Sequence, residues 1–96
     1  MLSVVFRPPA EADALEARAW YARHSETTAA RFAADLADTV DRVAEHPAGF
    51  ARVHGSVRRA VLHRFPCAVC YNVESEAVVV LAVQGRQDPA RWKARA

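Results

Sequence analysis

The chain has 96 residues, 52% of them hydrophobic and 25% charged, with a formal net charge of +2. That supports one hydrophobic core and is too short for a catalytic domain joined to a regulatory one, so a single domain over 1–96 is expected. The longest apolar run, Ala77 to Val83, is far too short to span a bilayer, and the opening MLSVVFRPPAEADAL lacks the basic stretch, apolar core and cleavage site of a secretory signal. The expected location is cytoplasmic, where the two cysteines stay reduced.

Leu2 to Phe6 is a β-prone run closed by Arg7-Pro8-Pro9, a combination that ends a strand and can open a helix. Ala12, Leu15, Ala19 and Ala22 then recur at helical spacing, with Glu11, Asp13 and Glu16 early in the segment, where acids suit the helix dipole. His24-Ser25 interrupts the pattern. Ser25 is placed to cap a second helix carrying Ala29, Phe32, Ala33, Leu36, Val40 and Val43 on one face, which stops at His46-Pro47. So short a connection predicts an antiparallel helical hairpin.

Beyond Gly55 the period changes to two. Val57, Arg59 and Val61 alternate with Arg58, Ala60 and Leu62; Phe65-Pro66 turns; Val69, Tyr71 and Val73 alternate with Ala68, Cys70 and Asn72; Glu74-Ser75-Glu76 turns again into Ala77 to Val83. These three strands predict a meander. The tail from Gln84 to Ala96 is polar and basic, and Asp88-Pro89 can begin a short helical turn that includes Trp92.

Charge is divided unevenly. Residues 1–50 carry five arginines against eight acids, a balance of −3, whereas residues 51–96 carry eight basic residues against Glu74, Glu76 and Asp88, a balance of +5. The carboxyl half therefore suits an anionic partner, or is simply a solvated arginine-rich face. The spacing Cys67-Ala68-Val69-Cys70 invites a redox or metal reading. Residues three apart on a strand point to opposite faces, however, and no second cysteine pair or close histidine pair completes a zinc site. Both cysteines are read as small apolar strand residues.

The order strand, two helices, three-stranded meander and basic tail resembles the RelE/ParE superfamily of toxins from bacterial type II toxin-antitoxin systems, over nearly the whole chain. The segments that carry the likeness are VAEHPAGF (43–50), VRRAVLHRFPCAVCY (57–71) and VLAVQGRQDPARW (80–92), and they look closer to the ParE branch. Two departures stand out: Cys67 occupies a place where an aromatic commonly follows the proline, and Gln84-Gly85-Arg86 stands where a histidine often follows the last strand. The implied fold is α+β, an amino-terminal strand and antiparallel two-helix hairpin packed on a small antiparallel sheet in the order β-α-α-β-β-β.

The resemblance implies a toxin neutralised by a cognate antitoxin, with two modes of action open. RelE-like toxins cut messenger RNA on the ribosome. That reaction needs cations, for which Arg58, Arg64 and Arg86 are available, and a proton donor and acceptor, for which the sheet side offers only His63 and Tyr71. Both are read as structural or exposed residues, so no catalytic residue is assigned. ParE-like toxins instead bind DNA gyrase, which calls for a rigid shape and a complementary surface. Arg58, Arg59, Arg64, Arg86, Arg91, Trp92 and Lys93 form the expected target-binding set, arginine and tryptophan being residues that dominate interface energetics. Arg58 and Arg59 are adjacent on a strand, so one surface can hold only one of them, and Trp92 either joins that surface or caps the core. The antitoxin is expected on the helical hairpin and the neighbouring sheet edge. Trp20 and Tyr21 differ by about 100° around the first helix, so one ring turns away from the core, and the exposed one either marks part of that groove or is an ordinary partly buried aromatic. No metal, organic cofactor, membrane or small-molecule substrate is implied. A third possibility is a toxin fold that has lost toxicity and survives as a binding module.

Overall fold

A computed structural model describes residues 1–85. Strand β1 (Ser3–Phe6) ends at Arg7, and Pro8-Pro9 opens helix α1 (Pro8–Ala22), where proline's fixed φ suits the first turn and its missing N–H is not needed. Helix α2 (Glu26–Glu45) starts from Ser25, whose hydroxyl accepts the Thr28 N–H at 3.3 Å. It stops at His46, because a residue before proline is driven out of helical geometry.

Four more strands follow: β2 (Arg52–His54), β3 (Val57–Val61), β4 (Cys67–Glu74) and β5 (Ala77–Gly85). The sheet order is β1-β5-β4-β3-β2. The expected meander is present as antiparallel β3, β4 and β5. Two additions make the sheet mixed: β1 lies parallel to β5, with Ser3 beside Ala77 and Phe6 beside Val80, and short β2 extends the other edge against β3. The β4–β5 turn has two central residues, Ser75 and Glu76, both at positive φ (48° and 65°), the geometry that usually selects asparagine and glycine.

The hairpin covers one face of the sheet. Phe32 and Val43 from α2 meet Ala60, Leu62, Val69, Tyr71, Val78, Val80 and Val83 in one buried cluster. Val57, Cys70, Val79, Leu81 and Ala82 form a second buried cluster. One extra residue in β5 decides this division. Tyr71 is opposite Val80 while Cys70 is opposite Ala82, so Leu81 is a bulge, and Val83 returns to the hairpin side with Val78 and Val80.

Helix α1 is rotated from the expected phase. Leu15, assigned to the core stripe with Ala12, Ala19 and Ala22, is 70% exposed; the inward residues are Ala10, Asp13, Ala14, Ala17 and Tyr21. Two forces select that face. Small alanines allow close approach to the sheet, and Asp13 accepts the Val83 N–H at 3.1 Å, which compensates for burying its carboxylate. On α2 the expected face packs inward as read, and Asp35 and Thr39 are buried with it. The Thr39 hydroxyl donates to the Asp35 carbonyl at 2.8 Å.

Candidate functional site

Alternation along β3 sends Arg58 and Arg59 to opposite faces, as expected from their adjacency. Arg58 pairs in register with Tyr71 on the hairpin side, and its Nη1 donates to the carbonyls of Phe50 at 2.6 Å and Ala48 at 3.3 Å. Beside it the Tyr71 hydroxyl donates to the Pro47 carbonyl at 2.6 Å, and the Phe50 ring stands edge-on to Tyr71 with Arg42 above it. Together these contacts tie segment 47–50 onto the sheet. Burial raises the Tyr71 phenol above its ordinary range, with the Arg58 charge pulling the other way. Arg59 pairs with Cys70 on the opposite face and is exposed at the side of a hollow of about 180 Å³ lined by Val61, Pro66, Ala68, Gln84 and Gly85.

Arg64 stands on the turn between β3 and β4, which is held from α2. The two carboxylate oxygens of Asp35 accept the N–H groups of His63 and Arg64 at 3.2 and 2.8 Å. His63 projects outward, with Nδ1 3.8 Å from an Asp38 oxygen that also lies 3.5 Å from Arg42 Nε. Among the described residues, Asp35, Asp38 and His63 form the one trio close enough to share a metal ion. Both Asp35 oxygens already receive backbone N–H groups and Asp38 adjoins a guanidinium, an arrangement that serves the turn.

Trp20 is 51% exposed at the end of α1, its ring 4.7 Å from that of His24. Tyr21 turns inward against Phe32 and Phe65 at centroid distances of 5.2 and 4.9 Å, so the two neighbours divide between surface and core. Trp20 borders a cleft of about 530 Å³ that also takes in Glu16, Arg23 and Pro66. A second, more apolar groove of about 380 Å³ runs between the helices, lined by Phe6, Ala14, Leu15, Leu36 and Val40. Leu15 was missed as a surface residue because leucine at helical spacing reads as core.

The two cysteines stand on β4 with side chains on opposite faces and carry free thiols. Burial pushes the Cys70 thiol up to about 11, and it also raises Cys67, against which the Tyr21 hydroxyl packs. Neither is a ready nucleophile. Of the expected target-binding set, Arg58, Arg59 and Arg64 occupy three separate seats. Arg86, Arg91, Trp92 and Lys93 lie outside the described residues. Asp35 escaped sequence reasoning altogether, since an aspartate inside an otherwise apolar helix face gives no sign of a partner 28 residues away.

Among the described residues no helix is long and apolar enough to cross a membrane. The model of the family described as ParE toxin of type II toxin-antitoxin system, parDE, matches residues 4–89. No curated protein matches the chain. Among solved structures, the chromosomal ParDE toxin-antitoxin system from P. aeruginosa contains a chain similar in fold, with a TM-score of 0.75 and 21% identity over 88% of this chain and 96% of that one. With a family model spanning both helices and all five strands, the chain belongs to the ParE toxins of type II toxin-antitoxin systems.

Proposed function

We propose that this toxin is neutralised by a cognate antitoxin protein and that it acts in the cytoplasm by binding DNA gyrase, as an inhibitor and not as an enzyme. The observation that carries this is the family match over 4–89, joined to a framework in which the chemically capable side chains are already employed. Tyr71 spends its hydroxyl on Pro47 and Arg58 its guanidinium on the 48–50 carbonyls, while His63 lies out on the β3–β4 turn. Arg59 and Arg64 are exposed, and Arg86, Arg91, Trp92 and Lys93 follow in the chain after β5; this is a composition suited to gripping a macromolecule. Arg58 serves the same surface by shaping the segment it holds. For the antitoxin, exposed Leu15 in the interhelical groove and exposed Trp20 on the separate cleft at the end of α1 offer apolar anchors on the hairpin, the receiving surface expected from the sequence.

The test is induced expression without antitoxin, followed by primer extension on transcripts, an SOS reporter, and a supercoiling assay with purified toxin and gyrase. Intact messages, an induced SOS response and dose-dependent loss of supercoiling are expected. Cleavage within codons on ribosomes would replace this account with the ribonuclease. Unimpaired growth would replace it with a non-toxic binding module.

A further inference from the structure

Successive amides in a tight turn make a small concave site that favours an anion. Between β3 and β4 those amides belong to His63 and Arg64, and the anion comes from the protein itself: Asp35 accepts both, at 3.2 and 2.8 Å. Asp35 is 8% exposed, and its backbone carbonyl receives the Thr39 hydroxyl, which in turn accepts from Arg42 Nη2 at 3.2 Å. The far side of the turn is anchored differently. Phe65 packs edge-on against Tyr21 and Phe32, and the Leu62 N–H donates to the Cys67 carbonyl at 2.9 Å. Held from a polar side and an apolar side, the turn leaves the side chains of His63 and Arg64 to face outward. Among the described residues no carboxylate pairs with the Arg64 guanidinium.

We propose that Asp35 is a positioning residue for target engagement: its carboxylate fixes the backbone from which Arg64 projects, so that Arg64 meets the target already ordered. An arginine on an unfixed turn loses affinity to the ordering of its own chain, and a preset backbone removes that loss. This rests on the assignment of Arg64 to the gyrase-binding surface.

The test is a double-mutant cycle on the full chain, read as the concentration giving half-inhibition of gyrase supercoiling. Asp35→Asn, nearly isosteric and deprived of one acceptor, is expected to raise that concentration about tenfold in the Arg64 background and by less than about twofold in an Arg64→Ala background. Amide exchange at His63 and Arg64 should accelerate in Asp35→Asn while Val69 and Val80 stay protected. Equal losses in both backgrounds, or unchanged exchange at the two turn amides, overturn the positioning role. If Arg64→Ala alone leaves inhibition intact, the assignment of Arg64 to the target surface fails first, an outcome distinct from additive losses. Should Asp35→Asn not fold, Asp35→Ser enters the same cycle with the same criteria.

Discussion

Replacing Tyr71 with phenylalanine removes a single oxygen from a fully buried ring and asks what that oxygen is for. The ring keeps its packing against Phe50 and the core valines, so no cavity term arises. What is lost is the 2.6 Å bond to the Pro47 carbonyl. A neutral hydrogen bond contributes about 1 kcal/mol, and a stranded buried acceptor adds up to about 2 kcal/mol. Pro47 is only half-buried, which lets water recover part of that second term, and the expected loss is about 1–2 kcal/mol. For a domain of this size it lowers the Tm by about 5–15 °C. Thermal melts followed by circular dichroism, with urea titrations to check that m is unchanged, measure it. On the proposed mode of action, gyrase inhibition at a temperature where the variant stays folded should be nearly intact, because the hydroxyl is engaged in holding a loop. An unchanged Tm with abolished toxicity would refute this reasoning and make Tyr71 a reacting group.

Putting asparagine at Ser75 and glycine at Glu76 relieves two positive-φ residues in the β4–β5 turn and should raise stability by about 1 kcal/mol, visible as a higher urea midpoint. Ser25→Ala removes the α2 cap and should cost about 1 kcal/mol in the same titration. Burial holds the Cys70 thiol at about 11 against an ordinary 9.0. Between those values the unfolded chain has released a proton that the native chain keeps, so this contribution is complete below about pH 9 and is lost as pH rises toward 11. The urea midpoint should fall over that window and fall less in Cys70→Ala; a flat profile in the parent protein would contradict it. Leu15→Glu, at a position already exposed, should leave the Tm within about 4 °C of the parent. It should weaken neutralisation by the antitoxin, measured as the antitoxin concentration needed to restore gyrase activity.

Features governed by neighbours in the chain were legible. Ser25 and Pro47 bounded α2, and strict alternation placed Arg58 and Arg59, and likewise Cys67 and Cys70, on opposite faces. What escaped depends on partners distant in sequence. Asp13 faces inward because of an amide 70 residues away, and that single bond helps to select the α1 face that leaves Leu15 outside. The parallel placement of β1 and the bulge at Leu81 arise from strand pairing, which an apolar run does not encode. At the site, exposed Arg59 and Arg64 match their sequence reading as surface cations. The employment of Arg58 depends on where the 48–50 carbonyls fall once α2 has ended.

Strand β1 precedes the other described elements in the chain, yet its partner β5 is the last of them. Until Ala77 to Val80 arrive, Ser3 to Phe6 has nothing to pair with, and α1 lacks the Val83 amide that Asp13 needs. A nascent chain halted before β5 is therefore without both the strand and the helix anchor that complete the sheet.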